Sequence, residues 1–184
     1  MLDLSFRFDR WFEGLPRSPR DHGRVHRCVL RTGPGLREMP EAIELLPGAG
    51  ARGDAWPSHP YSAPGNEVAL INVHVLRSLA GGDEARMPLS GDNLQVDLDL
   101  SEANLPPGTL LRIGTAVLRV SGLPHRPCRK FVERFGASAA KKVARANRLG
   151  RRGRGVVCEV AQAGVVRVGD PIEVERLPSP VRPS

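Results

Sequence analysis

Apolar residues recur at every second position in several short segments of the chain and at helical spacing in only a few. The clearest alternation runs from Leu94 to Leu100, where Leu94, Val96, Leu98 and Leu100 share one face, the signature of a half-buried strand. Gly23 to Arg31 alternates Val25, Arg27, Val29 and Arg31 with His26, Cys28 and Leu30, and Met39 to Leu46 places Ile43 and Leu45 on one side. Glu67 to Ile71 reads as a buried strand. Leu110–Ile113 and Ala116–Val120 form a hairpin pair across Gly114-Thr115, and Gly155–Val160, Val165–Val168 and Pro171–Val174 close the chain around a Gly169-Asp170 turn. Helical spacing is confined to an amphipathic piece around Phe8 to Phe12, to Asn72–Leu79 with Asn72 as N-cap, and to Cys128–Phe135 and Ser138–Leu149 on either side of Gly136. These patterns predict eight or nine strands with two or three short helices, a mainly β, barrel-like or sandwich-like domain.

Composition agrees. Glycine (20) and proline (17) make up about a fifth of the 184 residues, which leaves few stretches long enough for a helical bundle. The expected organisation is an N-terminal arm over 1–22, one domain over 23–178 and a flexible tail over 179–184. The longest apolar run, Val68 to Leu76, is broken by Asn72 and His74, and no secretory stretch is visible at the N-terminus. The reading is a cytoplasmic protein with no membrane partner, and its three cysteines are expected to be reduced.

The net charge of +7 is unevenly placed. Between Arg126 and Arg154 eleven basic residues face one acid, Glu133, so this window carries +10 and the rest of the chain −3. An anionic partner is implied. Cys128 lies inside the window, after Pro127, at the predicted opening of a helix and among His125, Arg126, Arg129 and Lys130. A helix N-terminus and nearby cations favour thiolate, the form that ligates a soft metal, accepts sulfane sulfur or attacks an electrophile. His125 is a candidate proton donor, or base for Cys128. Cys28 and Cys158 sit among apolar strand residues and read as packing. The cysteines and histidines are too scattered for a structural zinc site, and no hydrolase elbow, phosphate-cradling loop or dinucleotide glycine pattern is present. Asp54, Asp92 and Asn93 fall in tight turns, where they either bond their own backbone or orient a ligand. On the helix from Ser138, Lys141, Arg145, Arg148 and Arg152 share one face, which reads as solvated.

Six segments resemble, in order, the successive motifs of the MOSC domain, the module named for the C-terminal part of eukaryotic molybdenum cofactor sulfurase. They are residues 40–56, 68–72, Gly-Asp-Asn-Leu at 91–94, 110–120, Pro-Cys-Arg-Lys-Phe at 127–131, and 155–172. The resemblance covers about residues 40 to 175 and is closest to the small bacterial forms. It implies a β-barrel-like domain that handles the molybdenum cofactor (molybdopterin) or reactive sulfur through one cysteine, matched here by Cys128, and family members include reductases of N-hydroxylated compounds. On this reading Cys128 is the metal ligand or persulfide carrier. Arg126, Arg129, Lys130, Asp54 and Asn93 serve an anionic cofactor, and a separate protein supplies electrons or sulfur. The chain is then either a cofactor-dependent oxidoreductase or a sulfur-transfer protein. Pyridoxal phosphate belongs to the family by association with the full sulfurase and is not expected to bind here. Two competing readings are a nucleic-acid-binding module using residues 126–154, disfavoured because only Phe131 and Phe135 interleave with the charges, and a thiol redox sensor, which requires a resolving cysteine near Cys128.

Overall fold

A computed structural model describes residues 5–176. Its centre is a closed seven-stranded barrel. In chain order the strands of the described residues are β1 (His22–Cys28), β2 (Leu30–Gly33), β3 (Leu36–Glu38), β4 (Ala42–Leu46), β5 (Gly50–Ala51), β6 (Val68–Asn72), β7 (Leu94–Asp97), β8 (Leu110–Ile113), β9 (Ala116–Val120), β10 (Val156–Gln162), β11 (Gly164–Arg167) and β12 (Pro171–Glu175). The helices are α1 (Ser5–Glu13), α2 (Val73–Leu79) and α3 (Arg129–Arg148). Around the barrel the order is β1-β12-β8-β9-β10-β6-β7; a three-stranded sheet β11-β4-β5 and the β2–β3 hairpin flank it. The fold is mainly β, as the alternation predicts.

Every neighbouring pair in the barrel is antiparallel except β6–β7, which is parallel. A parallel pair needs a crossover, and α2 with the 3-10 segment Glu84–Ser90 provides it. The crossover creates a second layer. Because successive strand residues point to opposite faces, Leu70 of β6 enters the barrel interior with Val25, Leu94, Leu111 and Leu118. Its neighbour Ile71 packs outside with Leu76, Met87, Phe131, Phe135 and Val143. Asn72 caps α2 by accepting from the backbone N–H groups of His74 and Val75.

Two expectations are revised and a third holds. The single strand over Gly23–Arg31 divides at Val29, whose N–H donates to the Asn93 carbonyl and whose carbonyl accepts from Asn93 Nδ2. The strand from Leu94 ends at Asp97 because the Leu98 carbonyl is taken by the Asn72 side chain and the Asp99 N–H by the Pro19 carbonyl; Leu98 and Leu100 remain buried. The break expected at Gly136 is present: its φ of 87° and ψ of 163° are not helical, so α3 consists of two helices that meet there at a kink.

The N-terminal segment docks on α3. Asp9 accepts from Arg145 (2.9 and 3.0 Å), Glu13 pairs with Arg151 (3.1 Å), and Lys142 and Arg151 lie over the rings of Trp11 and Phe12. Trp11 Nε1 also donates to Ser78 Oγ of α2. Part of the basic face that reads as solvated therefore holds α1 in place. The tail at 179–184 lies outside the described residues. No helix among them is long and apolar enough to cross a membrane.

The barrel wall leaves no room at Gly155, where the chain turns into β10. Its φ is +89°, and a Cβ there would lie 1.9 Å from the Leu70 carbonyl oxygen. Gly82 has a similar φ of +82° but open space around it. Gly155→Ala is therefore expected to cost about 3 kcal/mol or more in a urea unfolding experiment, while Gly82→Ala costs about 1 kcal/mol, the strain alone.

Candidate functional site

A cavity of about 510 Å³ opens beside the first turn of α3, and Cys128, His125, Arg126 and Lys130 all line it. Cys128 is the N-cap residue of α3, in extended conformation (φ −90°, ψ 172°). Its carbonyl begins the helix by accepting from Phe131 and Val132. Its thiol makes no capping hydrogen bond and is exposed, so the sulfur is available to a ligand. The other two thiols are packed: burial pushes Cys28 and Cys158 up to about 12. Neither lines the cavity, so no resolving cysteine stands beside Cys128 there.

Arginines from three other parts of the fold face the same cavity: Arg31 of β2, Arg37 of β3, and Arg154 from the turn before β10. Arg134 of α3 joins them and donates to the Leu89 carbonyl. Only part of this charge is balanced. Arg31 is held by Asp54 through Nε and through a 2.6 Å bond from its terminal nitrogen. Arg154 places one terminal nitrogen 2.6 and 2.7 Å from the two oxygens of fully buried Asp92, donates to the Ser90 carbonyl, and lies 4.9 Å over the Phe131 ring. The Nε of Arg37 is buried without a hydrogen-bond partner among the described residues. Burial, and then the Arg134 and Arg31 guanidinium groups, lower the pKa of Arg37. Cations forced together in this way favour an anion among them.

His125 is held on its loop by Asn147, whose Nδ2 donates to the His125 carbonyl. Its Nε2 lies 3.8 Å from Asp92, and its Nδ1 is buried without a partner among the described residues. Burial, reinforced by Arg154, pushes its pKa down to about 3 despite the opposing pull of Asp92. The ring is therefore neutral at neutral pH. It can donate or accept one hydrogen bond, and an imidazolium proton is not on offer.

The sequence-predicted residues divide into two groups. Cys128, His125, Arg126 and Lys130 converge on the cavity. Arg129 points away, 2.8 Å from Glu133 on the exposed helix surface. Asp54 and Asn93 lie behind the cavity wall. Asp54 accepts from the N–H groups of Arg31 and Trp56 and from Asn93 Nδ2, and Asn93 accepts from the Ala69 N–H. Asp54 thereby fixes the cavity-lining Arg31. Arg31, Arg37, Arg134 and Arg154 were not singled out from sequence. Arg134 and Arg154 belong to the basic window, whereas nothing in the sequence distinguishes Arg37. The rim is aromatic: Trp56, His59 and Tyr61 stand on a loop stapled by Asn66, which accepts from Trp56 Nε1 and the Ala63 N–H and donates to the Tyr61 carbonyl.

A family model described as the MOSC domain matches residues 64–173, from just before β6 into β12, with Cys128 inside. This chain belongs to the MOSC domain family. Its barrel is similar to those of solved bacterial proteins. The YuaD protein from Bacillus subtilis is 19% identical with a TM-score of 0.62, covering 83% of this chain and 95% of that one. YiiM from Escherichia coli is 22% identical with a TM-score of 0.57, covering 85% and 71%. YiiM from Geobacillus stearothermophilus is 14% identical with a TM-score of 0.56, covering 84% and 75%. At these identities the likeness establishes the fold. A search of curated protein sequences finds no match.

Two outcomes follow for this MOSC site. Asp92→Ala strands the buried Arg154 charge and is expected to lower unfolding free energy by about 3–5 kcal/mol, much of which Asp92→Ala combined with Arg154→Met restores. The second concerns acid. Unfolded chains protonate His125 near 6.5 and the folded protein only near 3, so the unfolded state binds the extra proton between those values and stability falls as pH is lowered through that window. Urea midpoints measured at pH 7 and pH 4.5 should fall less for His125→Gln than for the wild type.

Proposed function

We propose that this MOSC domain protein holds the molybdenum cofactor, or carries sulfane sulfur for it, through Cys128. The observation that carries the reading is the exposed, uncapped thiol of Cys128 opening into a cavity lined by arginine and lysine. The cofactor joins a soft metal to an anionic pterin phosphate or nucleotide, and the donor set suits both parts: a thiolate for the metal, unbalanced cations for the anion. The described residues contain no group of three or more His, Cys, Asp or Glu able to hold a metal ion. Cys128 would thus be the one thiolate this cavity offers to a molybdenum centre.

The residues around the thiol have separable tasks. Arg126 and Lys130 form no hydrogen bond or ion pair among the described residues and are free to meet anionic oxygens. Arg37 and Arg134 extend that charge across the cavity, and Arg31 is oriented by Asp54. Neutral His125 supplies one hydrogen bond and holds its position through Asn147 and Asp92. When bound, the molybdenum centre supplies two-electron oxygen-atom chemistry, which suits reduction of an N-hydroxylated compound with electrons from a separate protein. In the sulfur-carrier version the Cys128 thiolate attacks the outer sulfur of a donor persulfide. The donor S–S bond breaks, a new S–S bond forms on Cys128, and the donor leaves as its thiolate.

Cys128→Ala decides the matter. Protein from a host that makes molybdopterin should retain molybdenum and pterin as wild type and lose them as Cys128→Ala, or else wild type exposed to a persulfide donor should release thiocyanate with cyanide and the variant none. Equal cofactor content together with no cyanide-reactive sulfur in either protein would sink the proposal.

A further inference from the structure

A second cavity, of about 580 Å³, lies on the other side of the segment that carries His125. Residues 123–126 line both cavities, while Cys128 lines only the first. The far wall of the second cavity is the C-terminal half of α3 and the glycine-rich turn at 150–155. That turn is pressed tightly against its surroundings: a Cβ at Gly153 would lie 2.7 Å from Ala146 Cβ. Within it Arg152 and Arg154 are sent to opposite sides, Arg154 into the first cavity and Arg152 into the second.

The charges in the second cavity are arranged for a ligand. Arg152 has φ 47°, the one positive φ at a non-glycine position among the described residues. Such strain persists where the surroundings or a function enforce it. Its guanidinium donates to the Leu100 and Leu105 carbonyls, which pins one edge of the fork. Arg126 and Arg148 form no hydrogen bond or ion pair among the described residues. Glu102 is the one acid in the lining and sits close to Arg152, so three guanidinium groups and one carboxylate leave two positive charges. The remaining lining includes Leu123, Pro127, Ala144 and Val156, an apolar surface next to the charged one. The volume exceeds what a bare ion requires and falls in the range of small-molecule sites.

We propose that this second cavity binds a phosphomonoester, its dianionic phosphate held by Arg126, Arg148 and Arg152 and its organic body lying against Leu123, Pro127 and Ala144. The doubly charged head matches the uncompensated charge, and guanidinium forks suit phosphate oxygens. Because Arg126 also lines the first cavity, a ligand in the second draws on a cation that an anion beside Cys128 would use. The two sites are linked, and by reciprocity each lowers affinity at the other.

The test uses the full chain with inorganic phosphate and phenyl phosphate as probes, followed by NMR of arginine Nε–H groups labelled with ¹⁵N. The Arg148 and Arg152 signals should move along one saturable curve, with phenyl phosphate binding several-fold more tightly than phosphate. Arg148→Gln should weaken the binding read at Arg152 by about tenfold or more, Arg148→Lys by less, because the charge remains and the fork is lost. Cys128→Ala should bind as wild type, which separates this inference from the role proposed for the thiol. The proposal is overturned if the Arg148 and Arg152 signals do not shift, if only Arg37 and Arg134 respond, or if Arg148→Gln binds as well as wild type.

Discussion

The buried pair of Arg154 and Asp92 is the contact on which the site depends. Taking both charges out of water is costly unless each is engaged, and here both Asp92 oxygens and both terminal nitrogens of Arg154 are, with Arg154 Nε alone buried without a hydrogen-bond partner among the described residues. Asp92 receives one terminal nitrogen of Arg154 on both oxygens; the other terminal nitrogen binds the Ser90 carbonyl, and the guanidinium plane rests over Phe131. That one set of bonds joins the turn entering β7, the turn entering β10 and the first turn of α3. It also sets the electrostatic surroundings of His125, with Arg154 opposing and Asp92 favouring its protonation. The position of Cys128, three residues before Phe131, follows from it.

A second buried carboxylate repeats the arrangement nearby, bonded to the residue that follows Asp92. Asp54, fully buried, gathers Arg31, the Trp56 N–H and Asn93 into one knot. The two acids neutralise the two arginines that the fold itself requires. Among the described residues Arg37, Arg126 and Lys130 are left without a carboxylate partner, so the charge that faces the cavity is the residue of an internal balance. This surplus beside a thiol is what the proposed anionic cofactor would use, whereas an extended polyanion would need cations spread over an open surface.

Legibility in the sequence followed the physical range of each interaction. Period-two alternation depends on which face a residue presents, a local property, and it located most strands and the Gly114-Thr115 hairpin. It overran at Val29 and beyond Asp97, where distant Asn93 and Asn72 side chains take backbone groups that a ladder would use. The neighbours of Cys128 in sequence were legible, and so was its place at the opening of a helix. Arg37 was not, because it reaches the cavity only through the β2–β3 hairpin and has no local mark. Arg129 shows the converse: adjacency in sequence to Cys128 puts it one step round the helix, facing solvent and Glu133. The pairing of Arg145 with Asp9 across 136 positions was likewise beyond any local pattern.

The barrel closes where β1 meets β12, joining residues 22–24 to residues 171–173. On the ribosome that seam cannot form until nearly the whole described chain has emerged, and β1 must wait with one edge open through most of synthesis. The same holds for α1, whose seat on α3 is made late. Folding is therefore gated by the arrival of the last strand, and between the synthesis of Cys128 and that of β12 the thiol-bearing segment is made while its enclosing wall is unsealed. Because α1 has already emerged when α3 follows it, the docking of the first helix on that basic face needs no further synthesis and can precede the sealing of the barrel.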